Sequence, residues 1–342
     1  MSHQRSPWLM AVVFAGSGFL VLAVPAITLP QQNGLEAKKI ATGPALDGLM
    51  KPVYEQARPF TIKVSGGKKL PGGFTLVTLR ALYDSQNIYF LAQWNDPTRS
   101  QRSFPFQKQV DGSWRRLSDP TDRGGDASLY YEDKLAMMWA IKSPTFERLG
   151  CLAGCHLGEG KPYGNMYLPP GELADIWIWK SVRTGSVGQF EDMYLDDTRY
   201  DRERAPEAGR KGDVKEGGGY SDNTLVSGKP QWAPPGNKPA PPYWILDSAK
   251  VPFEDGNYQA GDEIPGVIVA AFTGDRGDIS SQANWVDGVW TLEWTRKLTT
   301  GSPTDVQFDD LNRKYAFGIA VFDNSQVRHA FHQGAVRLTF ER

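Results

Sequence analysis

The only two cysteines of the chain lie in one short segment, beside one of its four histidines. Residues 151–156 read CLAGCH. The motif at which c-type haem is attached is C-x-x-C-H, and this segment has one more residue between its cysteines. Cys151 and Cys155 can add to the two vinyl groups of a haem while the adjacent imidazole of His156 reaches the iron. The additional residue can bulge within the Leu-Ala-Gly stretch without moving Cys155 relative to His156.

Two other chemistries are open to the same residues. In an oxidising compartment Cys151 and Cys155 can form a disulfide. Together with His156 and a fourth ligand they can also bind zinc. We favour haem, because a disulfide has no need of the histidine.

A six-coordinate haem requires a second axial ligand. The candidates are His329 and His332 in the segment VFDNSQVRHAFHQ, and Met166 in the loop GNMYLPP. Residues three apart point to opposite faces of a strand, so only one of the two histidines would face a common site there, whereas one helical turn would let both face it. Met137 and Met138 lie in an apolar strand, which predicts that they pack in the core.

The N-terminus has the character of an export segment. No charged residue occurs over residues 8–29, and the stretch is strongly apolar. Residues 1–30 are therefore predicted to form a hydrophobic helix that is a signal peptide, cleaved after Ala26, or an uncleaved membrane anchor. Either outcome places residues 31–342 in the periplasm or on the outer face of the cytoplasmic membrane.

The rest of the chain shows the two-residue period of strands. Trp290, Leu292 and Trp294 fall on one face, and the intervening Thr291 and Glu293 on the other. We predict strands at 75–83, 87–94, 134–141, 266–272, 288–294, 315–322 and 336–340, with a turn at 84–86. Many short strands separated by Gly and Pro predict an all-β, antiparallel β-sandwich.

Two stretches do not follow this pattern. Residues 97–128 and 201–242 are rich in Gly, Pro and charged residues. We predict that they are long loop insertions in a single domain that spans residues 31–342.

Composition excludes several classes of function. The chain has 342 residues, with 38 Lys or Arg against 39 Asp or Glu, and a net charge of −1 gives no reason to expect a nucleic-acid partner. A mean hydropathy of −0.44 excludes a polytopic membrane protein. No nucleophile–base arrangement, phosphate-binding glycine loop or paired carboxylates are evident, so we predict that the chain is not an enzyme in its own right.

Several segments together resemble one family. They are residues 45–57 (ALDGLMKPVYEQA), 174–180 (ADIWIWK), 192–197 (DMYLDD), 261–267 (GDEIPGV), 290–301 (WTLEWTRKLTTG) and 315–324 (YAFGIAVFDN). Their order resembles the ethylbenzene-dehydrogenase-type haem-binding domain, and the first segment also resembles the related family 9 carbohydrate-binding sandwich. The resemblance covers most of residues 40–342 and implies a β-sandwich that holds one haem and passes electrons.

The resemblance also implies positions for the axial ligands. In the haem subunits of molybdenum enzymes, one ligand lies between the central strand and the tryptophan-rich segment, where this chain has His156. The other lies near the C-terminus, where this chain has His329 or His332, and we favour His329 because it comes first after the turn. Relatives with covalent haem often carry a histidine where this chain has Ile178.

The tryptophan-rich segment has an expected role beside the haem. Trp177 and Trp179 are expected to pack against the ring, and Lys180 to reach a propionate.

Together these observations predict an exported monohaem c-type cytochrome with one covalent haem. Its partners would be redox proteins, including a molybdenum enzyme or a respiratory complex, and it would contact the membrane through an uncleaved N-terminal segment. The alternatives are a haem-free carbohydrate-binding sandwich and the haem subunit of a larger periplasmic oxidoreductase.

Overall fold

Thirteen strands of the described residues form one hydrogen-bonded sheet that folds over into two facing layers. The computed structural model describes residues 34–154 and 165–342. The strands of this sheet are β1 (Leu35–Lys39), β2 (Phe60–Ser65), β3 (Phe74–Tyr83), β4 (Asn87–Asn95), β5 (Lys134–Lys142), β6 (Leu173–Lys180), β7 (Glu191–Leu195), β8 (Arg210–Gly212), β9 (Ser280–Val286), β10 (Val289–Lys297), β11 (Tyr315–Phe322), β12 (Ala330–Phe331) and β13 (Val336–Phe340). The α-helices of the described residues are α1 (Pro52–Glu55) and α2 (Pro144–Leu149), and 3₁₀ turns lie at Pro71–Gly73, Gly150–Ala153, Gly185–Val187, Asp247–Ala249, Asp255–Asn257 and Asp275–Gly277.

The two layers confirm the antiparallel β-sandwich predicted from the sequence. One layer has the order β8-β7-β6-β5-β11, and the other has the order β2-β3-β4-β10-β9. Strand β12 connects the layers at one edge by pairing with both β11 and β2. Strand β1 is the exception to the antiparallel pattern, because it pairs in parallel with β3 and β13.

Period-two alternation located six of the thirteen strands of the sandwich, namely β3, β4, β5, β10, β11 and β13. The predictions for residues 315–322 and 336–340 coincide with β11 and β13, and the other predicted strands differ from the observed ones by one to three residues at an end. The predicted turn after β3 forms because the Asp84 carboxylate accepts hydrogen bonds from the backbone N–H groups of Gln86 and Asn87, both at 2.8 Å. The alternation did not predict the other seven strands, which are β1, β2, β6, β7, β8, β9 and β12.

The second face of β10 is also covered. Glu293 lies on the face opposite the tryptophans, yet its side chain is buried. Its carboxylate accepts hydrogen bonds from the backbone N–H groups of Asp47 and Gly48, at 2.9 and 2.7 Å, and from Lys51 at 2.7 Å. The segment before α1 therefore closes over this part of the sheet.

The core between the layers is largely aromatic. Phe90 of β4 stacks on Trp294 with ring centroids 5.1 Å apart and also meets Trp177 of the opposite layer at 6.0 Å. Trp139 lies 4.9 Å from Trp177 and 4.8 Å from Phe317. These contacts join β4 and β10 to β5, β6 and β11, so the aromatic rings set the spacing of the layers.

One ion-pair network is buried beside this core. Arg296 of β10 is fully buried, and its Nη1 lies 3.1 Å from Asp175, 3.5 Å from Asp305 and 3.6 Å from Asp192. Burial raises the pKa of Asp175 to about 7 although Arg296 acts in the opposite direction. The network joins β10 to β6 and β7 and supplies the cation that buried carboxylates require.

The two insertions contain strands of their own. Phe106–Lys108 and Trp114–Arg116 pair with each other, and the first also pairs with Glu263–Ile264. Further short strands lie at Gly217–Asp222, Leu225–Val226, Lys229–Pro230, Trp232–Ala233, Ile245–Leu246, Val251–Pro252 and Val267–Thr273. Phe106 and Trp114 of the first insertion and Ala233 of the second pack with Tyr258 and Ile264 in a small apolar cluster, so the insertions contain short strands as well as loops.

The predicted N-terminal helix, residues 1–30, lies outside the described residues. Within the described part of the chain, no helix is long and apolar enough to cross a membrane.

Replacing Trp177 with alanine tests the aromatic core. Trp177 is completely buried, and we expect Trp177→Ala to lower the free energy of unfolding by about 3–5 kcal/mol, since the cavity it leaves cannot be refilled by the neighbouring rings. Urea denaturation followed by fluorescence measures the change. Trp232→Ala is the control, because that side chain is only half-buried and should cost about 1 kcal/mol or less. Equal losses in the two variants would contradict this description of the core.

Candidate functional site

A cavity of about 400 Å³ lies on the outer face of the layer formed by β6, β5 and β11. Side chains alternate between the two faces of β6, so Trp177 and Trp179 enter the core between the layers while Ile176, Ile178 and Lys180 line the cavity. The volume is within the range of cavities that hold cofactors and other small molecules.

The floor of the cavity is apolar, and loops form its walls. The sheet contributes Ala136, Met138, Ile176, Ile178, Met193, Gly318, Ala320 and Phe322, and the loops contribute Gly124, Gly125, Cys151, Met166, Glu207, Gln326, Val327 and His329. Most of these sheet side chains are smaller than the aromatic rings of the inner face, which leaves space for the cavity.

The structure brings together three residues that the sequence analysis singled out. Cys151, Met166 and His329 all line the cavity, although they are far apart in the chain. Cys155 and His156 lie outside the described residues. Gly154 and Tyr167, which come before and after them in the chain, are in contact, since the N–H of Tyr167 donates a hydrogen bond to the carbonyl of Gly154 at 3.2 Å.

The local sequence explains why Cys151 reaches the sheet. Helix α2 begins with Pro144 after Ser143, whose hydroxyl accepts a hydrogen bond from the N–H of Phe146 at 3.2 Å. It ends at Leu149 and is followed by Gly150, which has a φ of +60°. A side chain at Gly150 would also approach the backbone of Gly334 to 2.4 Å, so glycine is required for the turn that presents Cys151 to β11.

The two C-terminal histidines differ in position. His329 lines the cavity, and its ring lies 4.5 Å from that of Phe322 and 5.8 Å from that of Phe331, measured between centroids. His332 is not a lining residue, and its Nδ1 lies 3.4 Å from the carbonyl of Lys63.

Basic side chains surround one side of the cavity. Lys134, Lys180, Arg183 and Arg210 all line it, against one acidic lining residue, Glu207. Lys180 forms an ion pair with Glu191, Arg183 with Glu132, and Arg210 with Glu207. Burial raises the pKa of Glu191, but Lys180 outweighs this and lowers it to about 2, so the pair stays charged.

Lys134 differs from the other three basic residues. Its ammonium donates a hydrogen bond to the carbonyl of Gln326 at 2.7 Å and lies 4.1 Å from the ring centre of Phe322. In the described part of the chain it has no carboxylate within ion-pair distance. Burial lowers its pKa well below that of an ordinary lysine. An anionic ligand in the cavity would supply the negative charge that this site lacks.

The structure corrects one part of the sequence analysis. Trp177 and Trp179 were expected to pack against a haem, but they lie between the two layers on the opposite face of β6. The expectation for Lys180 remains a prediction, since Lys180 lines the cavity. The sequence analysis missed Lys134, Arg183 and Arg210 as lining residues. For Lys134 alone there was a signal, because it occupies one of the alternate positions of β5 whose side chains face outward.

Comparison with known proteins defines the class of this sandwich. The sequence profile described as ethylbenzene dehydrogenase matches residues 51–334, so the chain belongs to the ethylbenzene dehydrogenase family. A search of curated proteins finds no match.

Solved structures similar to this chain include a family 9 carbohydrate-binding module from Caldicellulosiruptor kristjanssonii. Its complex with glucose has 8% sequence identity and a TM-score of 0.33, over 90% of this chain and 95% of that one. Its complex with cellotriose has 9% identity and a TM-score of 0.33, over 90% and 94% of the two chains.

The contact between Cys151 and β11 can be tested at Gly318. A β-carbon at Gly318 would lie 2.5 Å from the sulfur of Cys151, so Gly318→Ala should displace the cysteine segment and cost about 1–3 kcal/mol of unfolding free energy. Chemical denaturation measures this cost. Gly256→Ala is the matched control, because nothing lies within 4 Å of its added carbon. If Gly318→Ala were as stable as that control, Cys151 would not lie against β11.

Proposed function

We propose that this protein is a monohaem c-type cytochrome that carries electrons between redox partners. One haem would occupy the cavity on the outer face of the sheet, attached through Cys151 and Cys155, with His156 as an axial ligand. The observation that carries the proposal is the position of Cys151 in the wall of a cavity that also contains Met166 and His329.

The residues of the cavity suit the chemistry of haem. A haem has a broad apolar ring and two carboxylates, and the cavity combines an apolar sheet floor with a basic side. Lys134 supports the proposal because it is a buried ammonium without a carboxylate partner among the described residues, and a propionate would neutralise it. Lys180, Arg183 and Arg210 already have carboxylate partners and would contribute hydrogen-bond donors.

The second axial ligand would come from a lining residue. We propose His329 in preference to His332, since His329 lines the cavity and His332 does not. Met166 is the alternative, because its thioether lines the same cavity. Two histidines would give a lower reduction potential than one histidine and one methionine.

A bound haem would supply a one-electron redox centre. The chain would contribute the ligands, burial of the ring and the basic side chains, which tune such a centre. We propose redox proteins as partners, including a molybdenum enzyme or a respiratory complex, in accord with the family to which the chain belongs. The charge-free N-terminal segment supports a location outside the cytoplasm.

The tryptophans do not favour the carbohydrate-binding alternative. That function would rely on exposed rings, as the sequence analysis assumed. Of the ten tryptophans among the described residues, seven are buried and three are half-buried. Most of the tryptophan rings are therefore packed inside the protein and not presented to a sugar. The cavity is the feature on which we base the proposed function.

Covalent attachment is the first property to test. Protein made in a host that matures c-type cytochromes should retain haem stain on a denaturing gel, and the pyridine haemochrome maximum should show whether one or two thioethers formed. Cys151→Ser and Cys155→Ser should each keep one thioether and shift that maximum, and the double variant should lose the stain. A colourless native protein would refute the proposal, and haem lost only on denaturation would refute covalent attachment.

The distal ligand can be tested with two matched histidine variants. His329→Ala should keep the covalent haem but change the low-spin spectrum to that of an open or exchanged sixth position. His332→Ala should leave the spectrum unchanged, because His332 does not line the cavity. The absorption spectra of the oxidised and reduced proteins measure both effects. An unchanged spectrum in His329→Ala would exclude His329 and make Met166 the next residue to replace.

A further inference from the structure

Two buried groups of three aspartates lie at different places in the sandwich. In each group, one carboxylate oxygen from every member lies within 4.8 Å of the others. One group contains Asp175, Asp192 and Asp305, and the other, here called the edge triad, contains Asp96, Asp133 and Asp323. The edge triad has no role in the site described above.

The two groups differ in how their charge is balanced. Arg296 lies among Asp175, Asp192 and Asp305, and its guanidinium contacts all three. Across residues 34–154 and 165–342, no lysine or arginine nitrogen lies within 4.0 Å of an edge-triad carboxylate. Lys69 lowers the pKa of Asp323 through its charge, but its side chain is exposed. The edge triad therefore lacks the internal cation that the first group possesses.

One oxygen of the edge triad is left without a partner. Asp96 is fully buried, and no donor of the described residues lies within hydrogen-bond distance of its Oδ2. Its Oδ1 accepts a hydrogen bond from the N–H of Thr98 at 3.1 Å. A buried, unpartnered carboxylate oxygen is costly, and a bound cation or a proton would remove that cost.

The remaining carboxylates are held in place by donors around the triad. Asp133 accepts hydrogen bonds from the N–H groups of Ser100 at 2.7 Å and Asn324 at 2.9 Å, and from the indole of Trp290 at 3.2 Å. The hydroxyl of Thr98 donates to Asp323 at 3.1 Å. Such donors orient ligands toward a metal. Burial and the charge of Asp323 raise the pKa of Asp96 to about 7.

We propose that Asp96, Asp133 and Asp323 bind one calcium ion. Calcium takes six to eight oxygen ligands in flexible geometry, whereas magnesium requires a near-ideal octahedron and retains several waters, which a buried site accommodates poorly. The proposed ion is independent of the haem.

The ion would join the two layers of the sandwich. Asp96 directly follows β4, Asp133 directly precedes β5, and Asp323 directly follows β11. Lys134 and Phe322, which adjoin two of these aspartates, line the cavity. Calcium would therefore stabilise the edge of the sheet from which the cavity is built.

Thermal unfolding of the full chain tests the proposal. After removal of metals with EDTA, addition of about 1 mM CaCl2 at about pH 8 should raise Tm by about 5 °C or more, and the same concentration of MgCl2 should raise it much less. Isothermal titration with CaCl2 should show one site. Asp96→Asn should lose the calcium-dependent shift, and Asp323→Asn serves the same purpose if the first variant does not fold.

Asp192→Asn is the matched control, since it alters the triad that Arg296 neutralises and should keep the calcium response. Absence of heat and of a Tm shift on addition of calcium would overturn the proposal and indicate that the edge triad holds protons. A full calcium shift in Asp96→Asn and Asp323→Asn, or an equal effect of magnesium, would also overturn it.

Discussion

The alternation of side chains along β5, β6 and β11 is the constraint on which the rest of the structure depends. Consecutive residues of a strand face opposite sides of the sheet, so each of these strands contacts the core with one set of side chains and the cavity with the other. Trp139, Trp177 and Phe317 fill the inner side and pack against the second layer. Their neighbours on the outer side carry no large aromatic ring, and Gly318 has no side chain at all, which leaves room for the cysteine segment and the cavity.

Buried charge follows a second principle in this molecule. Most buried carboxylates have a nearby cation, as Glu191 has Lys180 and Asp175 has Arg296. Lys134 and the edge triad lack such a partner among the described residues, and their charges have opposite sign. Lys134 is a buried ammonium that faces the cavity, and the edge triad is a set of buried carboxylates without an internal cation. A bound anionic ligand would balance the charge of Lys134, and a bound cation would balance the charge of the edge triad.

The resemblance to a family and the physical analysis of the residues had different strengths. The resemblance was confirmed by the match over residues 51–334, and it placed the chain in a family. It was less informative about individual side chains. The tryptophans of the ADIWIWK segment were assigned to the haem because of their position in the motif, whereas their rings lie between the layers. The adjoining Ile176 and Ile178 line the cavity instead.

The sequence by itself determined six of the thirteen strands, the antiparallel sandwich and the cysteine–histidine motif, because these depend on local patterns of residue type and spacing. Only the tertiary structure decided which face of β6 meets the second layer. It also decided that His329, and not His332, lines the cavity, and that Lys134, Arg183 and Arg210 lie together at one side of it. Alternation shows that neighbouring side chains point in opposite directions, but it does not show which direction leads to the core. That choice depends on packing between strands distant in sequence, such as the contact of Phe90 with Trp177, which no local pattern contains.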